Sequence, residues 1–230
     1  VIIGNGMLAK RFEEYSGLDN IIIFASGVSD SRETKAESFG REKKLLLETL
    51  SNYPERDFVY FSTCSIFDPE AADTPYVKHK LAMEQLIASM TKSYYIFRVS
   101  QIIGKADNTT LINYIINMIR NHKPFKVWRR ANRNLIGLDD VFAIVDYIIK
   151  NKILKNQIIN IASPNNISII DLINLIEKVL NLKAICTVID KGEAYSKINV
   201  DQISAIVQKL DIKFDSEDYY VNCIKNMLDF

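Results

Sequence analysis

Three cysteines, two histidines, eight glycines and five prolines are few for 230 residues, and each scarcity excludes something. Cys64, Cys186 and Cys223 are too scattered for a disulfide framework or a zinc site, the usage of a reducing compartment. His79 and His122 have no metal-ligand spacing and read as surface or helix residues, so no metal is called for. With so little Pro and Gly there is no interdomain linker, and no repeat or low-complexity tract is present. No apolar run approaches the roughly 20 residues of a spanning helix, and no signal-peptide pattern precedes the first strand. The expectation is a soluble, cytoplasmic protein with no membrane partner. Charge of one sign is lacking as well: 29 Lys and Arg against 28 Asp and Glu leave +1, no field to gather polyanions, so no nucleic-acid partner is expected.

Hydrophobic residues make up 48% of the chain and charged ones 25%, enough for a sizeable core under a solvated surface. Val1-Ile2-Ile3 is a β-branched run that ends in Gly4-Asn5-Gly6, followed by Met7, Leu8 and Phe12 at helical spacing. Further apolar runs fall at Ile21 to Ala25, Phe58 to Phe61, Tyr94 to Val99 and Ile158 to Ile161. Helical patterns fall near Lys43 to Leu50 and at Tyr76 to Met90, Leu111 to Ile119, Val141 to Ile149 and Ile169 to Leu180. Ser168, three residues before Asp171, is a capping residue for the last of these, and Ile185 to Phe230 reads as a strand and two helices. Strands alternating with helices specify an α/β fold, a Rossmann-like doubly wound parallel sheet. Residues 1–104 are expected to form the first part of that sheet, and residues 105–230 to complete it and form a small C-terminal cap, the two parts making one composite unit.

Gly4-x-Gly6-x-x-Ala9 lies between a strand and a helix, where glycines allow close approach of a pyrophosphate and the helix start supplies N–H donors. An ordinary glycine-rich turn reads the same way. Tyr76 and Lys80 stand one helical turn apart, where the ammonium favours the phenolate and tunes the tyrosine as a proton donor. In a chain with 11 Tyr that spacing also arises by chance, as an exposed helix pair. Thr63 ends a strand of the kind whose carboxyl end binds ligands in open α/β sheets. Trp128, beside Arg129 and Arg130, reads as a partly buried aromatic, and Asp139 and Asp140 as capping residues of the helix that follows.

In this order the motifs resemble the extended short-chain dehydrogenase/reductase (NAD-dependent epimerase/dehydratase) family over nearly the whole chain. Gly4 to Ala9 is similar to its cofactor loop, Phe24-Ala25-Ser26-Gly27 to the strand end beneath the nicotinamide, and Phe61 to Phe67 to the strand carrying the catalytic Ser/Thr. Tyr76 to Glu84 is similar to its active-site helix, Arg98-Val99-Ser100 to the next strand and Arg133 to Asp140 to a later motif whose arginine holds a substrate diphosphate. The resemblance implies an enzyme with catalytic Thr63, Tyr76 and Lys80. It implies NAD or NADP bound by Gly4, Asn5, Gly6, Met7, Leu8, Phe24, Ala25, Ser26, Ser62, Lys80 and Val99, and a nucleotide-sugar substrate held by Ser65, Ser100 and Arg133. A homodimer is implied as well.

The stretch from Gly4 to Thr63 is far shorter than in the family. The two strands after the first helix are therefore expected to be missing, and with them the residue that chooses NAD or NADP. Cys64 and Ser65 follow Thr63, where nucleotide-sugar 4,6-dehydratases carry an Asp-Glu pair. The string Ser62 to Asp68 is most similar to dTDP-4-dehydrorhamnose reductases, a branch of the family. The leading expectation is an NAD(P)-dependent reductase of a nucleotide-linked 4-ketosugar. A nucleotide-sugar epimerase with tightly bound NAD stands second, and a non-catalytic nucleotide-binding sensor third.

Overall fold

The computed structural model describes residues 1–105, 110–216 and 218–229. The chain opens with β1 (Ile2–Ile3), α1 (Met7–Arg11), a 3₁₀ turn at Glu13–Tyr15 and β2 (Ile21–Phe24). It continues through α2 (Ala36–Asn52), β3 (Asp57–Thr63), a 3₁₀ turn at Cys64–Phe67, α3 (Pro75–Met90) and β4 (Tyr94–Val99). The second half contains β5 (Gln101–Ile103), α4 (Leu111–Arg120), β6 (Phe125–Trp128), β7 (Asn132–Arg133), β8 (Leu135–Gly137) and α5 (Leu138–Lys150). It ends with β9 (Gln157–Ile161), β10 (Ile167–Ser168), α6 (Ile169–Leu180), β11 (Cys186–Ile189), α7 (Asp201–Lys209) and α8 (Tyr219–Leu228).

Five strands form one parallel sheet in the order β1-β2-β3-β4-β9. Their β-branched and aromatic residues are buried on both faces, as a parallel sheet covered by helices requires. Register runs from Ile23 beside Val59 to Val59 beside Tyr95 and Phe97 beside Ile159. One face packs Ile23, Phe61, Phe97 and Ile161 against Phe12, α5 and α7, while the other packs Ile22, Phe24, Tyr60 and Ile96 against Leu46 and Leu50 of α2 and Met83 and Ile87 of α3.

β1 forms the edge of the sheet, and residues 4–20 contain no further strand. A complete dinucleotide fold has the order 3-2-1-4-5-6, with two strands outside the first; this sheet has none. From β1 to β2 the chain steps in the same direction as from β2 to β3, yet α1 covers the face opposite α2. The first crossover therefore has the opposite hand to the next two, an exception to a strong rule. α1 keeps the face it would need to lead outward to strands that are absent.

A second apolar core joins Ile112, Ile115 and Ile119 of α4, Leu172, Ile173 and Ile176 of α6, and Ile224 and Met227 of α8, under the paired β6 and β11. Ser168 caps α6 through a 3.0 Å bond from Asp171 N, as read from the sequence. One local reading is corrected. The cap position of α5 is Gly137, with no side chain to cap with, and Asp139 and Asp140 lie in the first turn. There Asp139 pairs with Arg11 at 2.7 Å and Asp140 accepts from Tyr219 Oη at 2.6 Å. His79 is a helix residue, one of the two readings offered: it lies in α3, stacks on Phe39 with ring centroids 4.7 Å apart and has a side chain only 9% exposed. Trp128, read as a partly buried aromatic, ends β6 and is 41% exposed. No described helix is long and apolar enough to cross a membrane.

Candidate active site

The carboxyl ends of β1, β2 and β3 and the start of α3 meet at one place. Thr74 caps α3 by accepting from Val77 N, and Pro75 supplies a preset first turn. That start turns Tyr76, Val77, Lys80, Met83, Glu84 and Ile87 inward along one stripe. The Tyr76 phenol consequently faces the last residue of β3, close enough for the Thr63 hydroxyl to act on its proton equilibrium. Thr63 Oγ1 also accepts from Ser65 N at 3.0 Å and donates to Ser65 Oγ at 2.9 Å, so the threonine is held in one rotamer. Burial pushes the Tyr76 pKa up to about 12, with the Thr63 hydroxyl pulling the other way. The phenol is therefore a proton holder at neutral pH.

Lys80 makes its bonds elsewhere than at that phenol. Its Nζ donates to Glu42 Oε1 at 3.1 Å, Tyr60 Oη at 2.9 Å and the Phe61 carbonyl at 3.2 Å. An ammonium has three N–H donors, so all are in use. Glu42, from α2, has no exposed surface. It also accepts from Tyr60 Oη at 2.6 Å and Val28 N at 2.7 Å, and His79 Nε2 lies 3.0 Å from it. Burial alone pushes the Glu42 pKa up, but His79, Lys80, Tyr60 and Val28 together draw it down to about 2. Desolvation pulls Lys80 down and its carboxylate partners oppose that. In the sequence reading Lys80 tunes Tyr76; the phenol that Lys80 Nζ touches in this structure is Tyr60.

The glycine loop is exposed at Gly4, Asn5 and Gly6, with Met7 and Leu8 half-buried behind it. Gly4 has φ +130°, and a Cβ there would stand 2.5 Å from the Ala25 carbonyl oxygen, so β2 can approach only a glycine. Gly6 has open space where a side chain would be. Ala25 and Ser26 border this loop half-exposed, but Phe24 points into the core beside Phe58 and Tyr60, leaving only its backbone near the strand ends. Ser62 likewise turns inward and donates to Glu84. Val99 is buried opposite α5. Ser100 Oγ is buried without a hydrogen-bond partner. Ser65 is half-buried beside Thr63. Arg133 takes part in no ion pair among the described residues, and its guanidinium donates to the Asn132 carbonyl at 2.6 Å.

A dinucleotide of the kind the resemblance implies fits these residues at two points. Exposed backbone at Gly4 to Gly6 suits a diphosphate, and the Tyr76–Thr63 pair with the orphaned Ser100 hydroxyl suits the reacting end. Among the described residues no group of three or more His, Cys, Asp or Glu could hold a metal.

Three site residues escaped the sequence reading. Glu42 sits in the charge run Arg41-Glu42-Lys43-Lys44, which reads as a solvated face; its spacing to Leu46, Thr49 and Leu50, all buried, is the signal that would have found it. Glu84 holds Arg98 by two bonds, at 2.9 and 2.6 Å, beneath the strand ends. Tyr195, in an irregular stretch before α7, donates to the Cys64 carbonyl at 2.9 Å and so reaches the turn just after Thr63. Asn166 Nδ2 donates to the Tyr195 carbonyl at 2.9 Å, and Ser196 N donates to the Phe67 carbonyl at the same distance. No local pattern announces this loop.

The sequence pattern of the NAD dependent epimerase/dehydratase family matches residues 4–162. No curated protein matches the chain. Among solved structures, a dTDP-4-dehydrorhamnose reductase from Clostridium acetobutylicum superposes with a TM-score of 0.71 at 17% identity, over 99% of this chain and 97% of that one. A UDP-glucuronic acid 4-epimerase from Bacillus cereus, in complex with UDP-glucuronic acid and NAD, gives 0.71 at 17% identity, over 98% and 78%. RMD from Pseudomonas aeruginosa, complexed with NADPH, gives 0.68 at 16% identity, over 85% and 88%. At these identities the neighbours speak for the fold.

Proposed function

The chain belongs to the NAD dependent epimerase/dehydratase family, and on that premise we propose that it is a nucleotide-sugar-modifying enzyme that reduces a nucleotide-linked 4-ketosugar. The observation that carries the reading is the buried Tyr76 phenol facing Thr63 at the carboxyl end of β3. A nicotinamide dinucleotide, when bound, supplies the hydride. The chain's own residues supply the proton and its placement. Thr63, fixed by Ser65, orients the substrate oxygen, and Tyr76 gives its proton to that oxygen as it becomes an alkoxide, the requirement for general acid catalysis. The high pKa of Tyr76 suits a donor that stays protonated until the oxygen in front of it gains charge. Arg133, outside any ion pair among the described residues, is the group available for a substrate diphosphate.

Two features favour reduction over water elimination. The residue after Thr63 is Cys64, wholly buried and with its thiol pushed up by burial, so it remains a neutral thiol. Ser65 is spent on Thr63. No carboxylate stands at either position.

The test is stoichiometry. Incubated with a nucleotide-linked 4-ketosugar, the protein is expected to oxidise one NADH or NADPH per sugar reduced, and Tyr76→Phe to lose about 100-fold of the rate or more, the value of a positioned general acid. Interconversion of epimers with no net change in cofactor absorbance assigns the epimerase activity instead. Absence of dinucleotide binding to well-folded protein overturns the redox reading altogether.

A further inference from the structure

A nicotinamide dinucleotide has two ends, and the strand ends of this sheet are built for one of them. In a complete dinucleotide fold a strand lies outside β1, and about 20 residues past the glycine loop an acidic residue bonds the adenosine ribose or an arginine accepts its phosphate. Counted along this chain, that place falls at Phe24 to Ser26, at the end of β2. β2 lies on the inner side of β1, and no strand lies on the outer side among the described residues. Phe24 is buried in the core, and Ala25 and Ser26 carry no charge.

The segment between β1 and β2 does not replace the contact. The Asn20 carbonyl accepts from Asp57 N at 3.1 Å, beside the first residue of β3, so the segment returns at the amino ends of the strands, whereas open α/β sheets bind ligands at the carboxyl ends. Arg11, the one arginine of residues 4–20, lies 3.6 Å above the centroid of the Phe142 ring and pairs with Asp139, both on α5. Glu14 pairs with Lys150 at 3.4 Å, and Asp19 lies 3.9 Å from Arg56. The β2–α2 connection turns inward, burying Val28 with Tyr76 and Val77. On the outer side Gly4, Asn5 and Gly6 are exposed, and a Cβ on Gly6 would meet nothing within 4 Å.

We infer that this chain holds a nicotinamide dinucleotide by its nicotinamide half alone, with the adenosine left in solvent, and that it takes reduced nicotinamide mononucleotide as readily as NADH or NADPH. The inference rests on the dinucleotide site of the proposed function. It concerns how the cofactor is held and leaves the hydride chemistry as proposed.

A charged side chain bonded to the adenosine ribose contributes about tenfold in affinity or more, so its absence is measurable. Calorimetric titration of the whole chain with reduced nicotinamide mononucleotide, NADH and NADPH is expected to give three dissociation constants that agree within about threefold. In saturation-transfer NMR with NADH, the dihydronicotinamide protons are expected to receive saturation from the protein and the adenine protons to receive little. Disagreement among the constants beyond that margin, or adenine protons saturated as strongly as those of the nicotinamide, overturns the inference while dinucleotide binding leaves the proposed function standing. No binding of either dinucleotide to protein with a cooperative melting curve overturns both.

Discussion

The two faces of the central sheet are built from different materials. On the α1–α5 face, Phe12 meets Phe61, Phe142 and Tyr15 with ring centroids 5.3, 5.0 and 5.9 Å apart, and Ile144, Val145 and Ile148 complete a layer of side chains almost wholly apolar. On the α2–α3 face, the same depth holds Glu42, Lys80 and Glu84, each at most 3% exposed, with Tyr60 and Ser62 bonded to them. The first face makes stability by excluding water, a non-directional effect that tolerates changes of shape better than loss of volume. The second fixes geometry by directional bonds whose members are costly when left alone. The candidate site lies where the second face reaches the strand ends, so the polar wiring and the chemistry belong to the same elements.

Removing volume from the first face is expected to do the most damage. Phe12→Ala should lower the unfolding free energy by about 4 kcal/mol in a denaturant titration, while leaving dinucleotide affinity in the surviving folded fraction unchanged. A loss under about 1 kcal/mol would contradict the account of that face. On the second face, Glu84→Ala strands Arg98 and Ser62, and a loss of about 3 kcal/mol is expected. Glu84→Gln, close in volume, should still lose much of this, because the face responds to charge; equal stability of Glu84→Gln and wild type would erase the contrast between the faces.

The contrast also has a pH signature. The Glu42 pKa is lowered on folding from 4.5 to about 2, so its contribution is fully present above the unfolded value and is lost as pH falls from there toward 2. The decline amounts to something on the order of 3 kcal/mol. Melting temperatures recorded down that window should fall more steeply in wild type than in Glu42→Gln, and parallel curves would refute the assignment. The smallest effect lies away from both faces: Ser168→Ala removes the cap of α6 and should cost about 1 kcal/mol, with no change in the acid limb of the pH curve.

The elements that sequence patterns described well are those whose residues all face one kind of environment. β4 is found at Tyr94–Val99 and α6 at Ile169–Leu180, where the runs of apolar residues begin and end. The short strands β5, β7, β8 and β10 have two or three residues each, too few for any period, and exist because partners distant in sequence pair with them. Of the candidate site, Thr63 and Tyr76 do meet, at the places where strand end and helix start were read. Lys80 was read from its spacing to Tyr76 and from the resemblance of the helix that carries both, and neither says what α2 brings against it. Phe24 and Ser62 were named from their place in a motif, but strand alternation turned their side chains to the core.

By itself the sequence determined the parallel α/β sheet, the shortened first half and the residue types at the strand ends, because burial periodicity, turn residues and loop lengths are local quantities. Only the tertiary structure decided which face α1 covers, that Tyr195 reaches Cys64, and that the donors of Lys80 are used up by Glu42, Tyr60 and Phe61. Those outcomes depend on which groups arrive together from distant parts of the chain, and a buried charge takes its role from the neighbours that satisfy it.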